Sequence, residues 1–354
     1  MRACDSSVIS GFGVALPAVV HRQEEVVGYL LERDANKRLA RRIASNSGIS
    51  RRHLAVSPLH EDITHWSTAA RMRRYQDEVL PLGKDAVASA LDRTRTDPAD
   101  VGLLCVASST GYAAPGLDTR LARDVGMSPT VERLLVGHMG CLAAVPALAA
   151  CSNFVRSHQR PAVLLNAELS SLHLQPPPWD GEQLVVHTLF GDAVTATVIQ
   201  PDPPAESDRG LKVVDIVAHT DTQYEDYMSL MLGDHGLRMG LSPHVPDVLE
   251  RLVPDTTGVL LARHSLSLTD VHWWAVHPGG SRIIDAVESS LGLTPDAVAA
   301  SRYVLREHGN CASAGLPLVM EELQRRTPLA AGQHGIAMAF GPGLTFYAAL
   351  FLGV

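Results

Sequence analysis

Residues 136–156, Val136-Gly137-His138-Met139-Gly140-Cys141 followed by LAAVPALAACSNFVR, read as a strand end, a glycine turn and a small, apolar helix over Leu142–Arg156. Gly137 and Gly140 permit a tight turn and let a substrate approach the backbone. A thiol placed there faces the positive end of the helix dipole, which lowers its pKa from about 8.5 toward 7. Taken alone, Cys141 is equally a buried structural thiol. Working outward, strands are expected at Val8–Leu16, Val101–Ala107, Ala162–Ala167, Val194–Ile199, Val213–Thr220, His272–His277, Ile336–Ala339 and Leu344–Phe351. Helical patterns fall between them at Gly83–Arg95, Pro246–Leu252, Ser281–Leu291 and Leu316–Arg325. This alternation predicts an α/β protein with a largely buried central sheet.

The polar, Pro-rich seam Gln200–Gly210 (QPDPPAESDRG) divides the 354 residues into halves 1–200 and 211–354, and Pro176–Gly181 reads as a surface loop. An apolar fraction of 46% supports a substantial core, and 30 Lys+Arg against 38 Asp+Glu (net −8) opposes nucleic-acid backbone binding. No apolar run reaches the roughly 20 residues of a membrane span, and Gly11, Gly13 and Pro17 interrupt the first apolar run where a signal peptide would be unbroken. Five cysteines form neither a disulfide framework nor paired zinc ligands, so no metal site and a reducing, cytoplasmic setting are expected. Two partial motifs fail. Gly11-Phe12-Gly13 lacks the third glycine of a dinucleotide fingerprint, and His60 and His65, five apart, cannot clamp one ion from a helix face.

Three further segments complete a pattern. His277 ends an apolar strand and precedes Pro278-Gly279-Gly280. Asn310 enters the small-residue run Cys311-Ala312-Ser313-Ala314-Gly315. Ala339-Phe340-Gly341-Pro342-Gly343-Leu344-Thr345 joins two strands through a glycine turn. Individually these read as a satisfied core histidine, a helix cap and a hairpin. Together with the Cys141 turn they supply a thiol, an imidazole and an amide. With Leu189-Phe190-Gly191-Asp192 and the weaker matches Ile49–Leu54 and Leu82-Gly83-Lys84-Asp85, all the pieces running in family order from near residue 40 to the end, the sequence resembles the type III polyketide synthases, the chalcone/stilbene synthase superfamily, and carries the marks of a bacterial member.

The resemblance implies a thiolase-like fold of two pseudo-duplicated α/β halves in α-β-α-β-α layers, the cysteine carried by the first half and the histidine and asparagine by the second. It implies that Cys141 takes a starter acyl group from coenzyme A. His277 would pair with its thiolate, and His277 and Asn310 would hydrogen-bond the malonyl-CoA thioester as decarboxylation leaves an enolate. No cofactor beyond the coenzyme A thioesters is implied, and the partner is a second copy of the chain. Phe190 matches one gatekeeper phenylalanine and Met239 replaces the other. Pocket positions fall on Ser109, Thr110, Ser170, His173, Ala312 and the Gly341-Pro342-Gly343 turn. Ala114 falls on the loop that reaches a dimer partner. His173 departs from a small hydroxyl residue and is expected to narrow the pocket or to hydrogen-bond a growing polyketone. Arg42, Arg51, Arg52 and Arg282 are candidates for the coenzyme A phosphates, with solvated surface roles as the alternative for Arg51 and Arg52. The expected product is a short alkyl α-pyrone. A resorcinol, a tetrahydroxynaphthalene or a dihydroxyphenylacetyl product stands as an alternative, as does a ketoacyl-synthase-III-like or hydroxymethylglutaryl-CoA-synthase-like enzyme.

Overall fold

A computed structural model describes residues 6–33, 37–201 and 210–354. Cys4 and positions 202–209 of the Pro-rich seam lie outside the described residues. The first half contains β1 (Val8–Ala15), the short β2 (Val20–Arg22) and β3 (Arg51–His53), β4 (Leu103–Ala107), β5 (Glu132–Val136), β6 (Ala162–Leu169) and β7 (Asp192–Gln200). The second contains β8 (Leu211–Thr220), the hairpin β9 (Met228–Gly233) and β10 (Gly236–Leu241), β11 (Val271–Val276), β12 (His334–Gly341) and β13 (Thr345–Gly353).

Nine of these strands form one sheet in the order β11-β12-β13-β8-β1-β7-β6-β4-β5. Moving outward from β1, the pairings run antiparallel to β7, antiparallel to β6 and parallel to β4. Moving outward from β8, they run antiparallel to β13, antiparallel to β12 and parallel to β11. This repeated pattern is the pseudo-duplication, and the halves join through Val8↔Lys212 and Ile9↔Leu211.

The helices, in chain order, are α1 (Gln23–Arg33), α2 (Lys37–Ser45), α3 (Thr68–Thr94), α4 (Leu117–Asp124), α5 (Ala144–His158), α6 (Gly181–Leu189), α7 (Val245–Arg263), α8 (Ser281–Leu291), α9 (Ala299–His308) and α10 (Gly315–Arg326). The central layer is α5 with α10. Both are apolar around most of their circumference, as helices buried on all sides must be, and their side chains share one core with strands from both halves. Outside them, α3 and α4 cover the strands of the first half and α7 and α8 those of the second. The five layers are therefore α-β-α-β-α.

The failed dinucleotide motif has a packing role. A Cβ at Gly13 would lie 2.0 Å from the Ala86 carbonyl oxygen, so Gly11-Phe12-Gly13 lets α3 lie directly on β1. Two helices are longer than expected for one reason. Pro81 lies inside α3 and Pro254 inside α7, whereas the expected helices begin after the one, at Gly83, and end before the other, at Leu252. Burial of one face against the sheet outweighs the single lost hydrogen bond.

Candidate active site

Cys141 lies in a 3-10 turn, Gly140–Leu142, just ahead of α5. Gly140 has φ +62°, and its N–H donates to Ser109 Oγ at 2.9 Å. A Cβ on Gly140 would meet Pro342 Cδ at 2.7 Å, and one on Gly341 would meet Leu142 Cδ2 at 2.7 Å. The Gly341-Pro342-Gly343 turn of the β12–β13 hairpin thus lies against the cysteine turn from the other half.

The thiol is 4% exposed. Burial and the Glu168 carboxylate push its pKa up to about 12, opposed by hydrogen bonding to Asn310 and to backbone. The expectation of a lowered thiol pKa is therefore corrected. A helix terminus supplies at most about 2 kcal/mol, little more than one pKa unit, and burial outweighs it.

His277 follows β11 directly, and its N–H donates to the Met338 carbonyl at 2.9 Å. Its ring sits between Gly279 and Gly315, where an added Cβ would come to 3.3 Å. Neither ring nitrogen has a hydrogen-bond partner among the described residues, and burial pushes the pKa down to about 3. Asn310 is held where two segments cross. Its N–H donates to Leu189 O (2.9 Å), and its carbonyl accepts from Gly191 N–H (3.0 Å). The crossing demands glycine. A Cβ at Gly191 would stand 2.2 Å from the His308 oxygen, and Gly309 has φ +71°. Asn310 Oδ1 accepts from Ala312 N–H (2.9 Å) and Nδ2 donates to Gly279 O (3.1 Å). The amide thus ties its own turn to the His277 turn.

Cys141, His277 and Asn310 all line one outer cavity of about 1590 Å³, partly open to solvent, with Arg42 and Arg282 also on its wall. An inner cavity of about 970 Å³ is lined by Ser109, Thr110, Ser170, His173, Phe190 and Ala312, as well as Pro342. Cys141 and Met239 line both cavities. Gly341 and Gly343 act through the turn and line neither, and Ala114 is exposed on its loop.

The four arginines separate into two pairs. Arg42 and Arg282 stand at the outer cavity, whereas Arg51 is exposed and paired with Glu307 at 2.7 Å. Arg52 is 2% exposed, and its Nη1 donates to the carbonyls of His187 (3.0 Å) and Phe190 (2.6 Å). Arg52 is therefore a buried bracket for the Phe190 segment, which corrects its assignment to a phosphate. Successive side chains of β3 point to opposite faces, so neighbouring arginines meet different surroundings.

His173 is also corrected in part. Its Nδ1 accepts from Leu237 N–H (3.0 Å) and its Nε2 faces Thr110 O (2.8 Å). Both nitrogens are committed within the wall, which leaves none for a polyketone, and burial pushes its pKa down to about 4.

Sequence reasoning passed over Glu168. Its carboxylate accepts from Ser109 N–H (3.1 and 3.2 Å), Thr110 Oγ1 (2.7 Å) and Ser313 Oγ (2.6 Å), joining the halves beside Cys141. Burial raises its pKa to about 7 against the pull of these bonds. The available signal was an acid inside the otherwise apolar strand AVLLNAEL.

Among the described residues, no three or more His, Cys, Asp or Glu side chains converge as metal ligands, and no helix is long and apolar enough to cross a membrane. Residues 1–203 match the family of chalcone and stilbene synthases, N-terminal domain, and residues 215–354 match its C-terminal domain. The chain is 33% identical to the alpha-pyrone synthesis polyketide synthase-like Pks18 of Mycobacterium tuberculosis, over 98% of this chain and 91% of that protein. It is 31% identical to the 1,3,6,8-tetrahydroxynaphthalene synthase of Streptomyces peucetius, over 95% of this chain and 90% of the relative. The crystal structure of PKS-I from the brown alga Ectocarpus siliculosus superposes with a TM-score of 0.93 at 28% identity, covering 99% of this chain and 98% of that one. Two halves repeated around one sheet, with a cysteine, a histidine and an asparagine converging between them, fit these matches: the chain belongs to the chalcone and stilbene synthase family and is a type III polyketide synthase, an acyltransferase that condenses coenzyme A thioesters.

Proposed function

We propose that Cys141, His277 and Asn310 are the catalytic residues, brought together where halves 1–200 and 211–354 meet, and that the product is a short alkyl α-pyrone. The observation that carries this reading is that Cys141 lines both cavities. A coenzyme A thioester enters the outer cavity with its phosphates toward Arg42 and Arg282, and the acyl group passes to the inner one. His277, whose ring nitrogens are unpartnered among the described residues, takes the thiol proton as Sγ attacks the thioester carbon, and coenzyme A leaves as its thiol after receiving a proton. The two buried ions stabilise each other where either alone is penalised.

Malonyl-CoA then occupies the outer cavity. Loss of carbon dioxide leaves an enolate whose oxygen meets His277 and Asn310 Nδ2, donors fixed before charge develops. The carbanion attacks the Cys141 thioester, and Sγ leaves. The diketide, now a coenzyme A thioester, returns to Cys141 with release of coenzyme A, and a second extension gives a triketide-CoA whose enol oxygen closes on the thioester carbonyl, releasing the pyrone and coenzyme A as its thiol. The Mycobacterium relative named for alpha-pyrone synthesis supports that outcome. The Phe190 and Met239 side chains act as gatekeepers between the cavities.

Purified protein supplied with an acyl-CoA panel and malonyl-, methylmalonyl- or ethylmalonyl-CoA is expected to give pyrone masses and an acyl adduct on Cys141. Cys141→Ala is expected to give neither, and condensation retained by that variant overturns the assignment. A product made from malonyl-CoA alone, with the mass of tetrahydroxynaphthalene, replaces the pyrone reading, and the Streptomyces relative supports that second outcome. A cytoplasmic location is part of the proposal, because the free Cys141 thiol persists under reducing conditions.

The same proposal includes a homodimer. Exposed Tyr112 sits beside Ala114, and Leu134 and Leu135 are exposed on β5, the outermost strand of the sheet. Such an edge is ordinarily covered. Monomeric behaviour in light scattering overturns this part.

A further inference from the structure

The β9–β10 hairpin stands apart from the main sheet, and its ladder from Gly236↔Gly233 to Leu241↔Met228 uses one edge of β10 only. The opposite edge has no strand neighbour among the described residues. Along an edge, alternate residues present their carbonyls in the same direction, and here His235, Leu237 and Met239 do so. Side chains replace the missing strand. Gln175 Nε2 lies 3.1 Å from His235 O and 3.0 Å from Leu237 O, while Gln183 Nε2 donates to Met239 O at 2.6 Å. Between them, Leu237 N–H donates to His173 Nδ1.

This clamped edge is a wall of the site. Leu230, Leu237 and Met239 face the inner cavity, while Met228, Met239 and Leu241 line the outer one. At its tip the hairpin is tied to the start of α3, where Thr68 N–H donates to Asp234 O and Gly236 N–H donates to Thr68 Oγ1, each at 2.8 Å, while Met231 and Leu232 between tip and base are 68% and 65% exposed. Both glutamines are buried, and nothing in the reaction uses them chemically. From Leu237 to Met239 this edge of the wall is held by side-chain hydrogen bonds from Gln175, Gln183 and His173, whereas a wall built into the main sheet is fixed by a ladder on each side.

We propose that Gln175 and Gln183 are specificity-determining positioning residues, whose amides hold the β10 edge and so set the length of acyl chain that the inner cavity admits. This rests on the reading that the inner cavity holds the acyl chain. A saturated chain offers only contact area for recognition, so a wall that stops it one methylene sooner or later discriminates by roughly 10-fold or more.

Gln175→Met and Gln183→Met keep side-chain bulk while removing the donors. The double variant, assayed with saturated acyl-CoAs of 4 to about 18 carbons and malonyl-CoA, is expected to shift its optimum toward longer starters. The ratio of kcat/KM for long over short chains is expected to rise about fivefold or more. Backbone amides of 235–241 are expected to exchange hydrogen faster, with the alkylation rate of Cys141 unchanged. Gln183→Met alone, which removes one bond, provides the same readouts in weaker form where the double variant does not fold. An unchanged chain-length ratio in folded variants overturns the proposal, as does unchanged exchange over 235–241. Leu230→Trp, which fills the inner cavity directly, separates the two failures. If it shortens the preferred starter while the glutamine variants do nothing, only the clamp is wrong. If it also leaves the profile unchanged, the inner cavity does not hold the chain.

Discussion

The two halves of the molecule share a strand pattern and a central helix, yet they carry different chemistry. In the first, the turn before α5 presents Cys141. In the second, the strand end at β11 presents His277, and the turn before α10 presents Asn310. The repeated framework of sheet and buried helix is alike on both sides. The chemical asymmetry lies in the loops, and each loop is braced by the other half. Pro342 lies against Gly140, the Leu189–Gly191 segment crosses Gly309–Asn310, and Glu168 holds Ser313. Duplication supplies a rigid frame, and reciprocal bracing converts two unlike loops into one site.

Breaking the second half's contribution carries the largest effect. Asn310→Ala removes a donor from the developing enolate and is expected to lower condensation by about 10²–10³-fold, with Cys141 acylation by the starter changed only a few-fold. Single-turnover acylation measured beside steady-state product formation separates the steps. Equal losses in both would show that Asn310 serves the cysteine rather than the enolate.

The crossing of the halves comes next. Gly191→Ala drives a methyl against the His308 carbonyl, and such overpacking is expected to cost roughly 1–3 kcal/mol, read as a lower midpoint in denaturant. An unchanged midpoint would mean that the crossing tolerates a side chain.

Glu168→Gln tests the electrostatic brace and has the smallest expected effect. Glu168 has a pKa of about 7 in the folded protein and near 4.5 when free of it. Between those values the folded state holds a proton that the unfolded state has lost, so stability falls as pH rises through that window. The variant is therefore expected to gain in Tm relative to the parent protein between pH 5 and pH 8. Removing the carboxylate also lowers the Cys141 pKa, so iodoacetamide labelling at pH 8 is expected to quicken several-fold. A Tm difference that does not vary with pH would remove Glu168 as the titrating group.

Much of this arrangement is legible in the sequence because its parts are short and local. The glycine turn at Cys141, the strand end at His277 and the Asn310 run each carry their own signals, and Ser281–Leu291 matches α8 residue for residue. What escaped reading depends on direction or on burial. Arg51 and Arg52 are neighbours in sequence, but the pleat of β3 sends one to solvent and the other beneath Phe190. Ending the strand at Ala167 left Glu168 outside it, whereas β6 runs to Leu169 and buries the acid completely. The raised Cys141 pKa was likewise unreadable, because helix position is local whereas desolvation depends on the whole surrounding fold.

One consequence follows from the placement of a single sulfur atom at the junction of two chambers. The starter's carrier must vacate the outer chamber before an extender unit can enter it, so the layout imposes an order of events without any moving gate. Ping-pong kinetics, with parallel lines when starter and extender concentrations are varied together, are the rate-law form of that geometry. Under the proposed assignment, each extension advances the chain deeper into the inner chamber, and product length follows from the room left there.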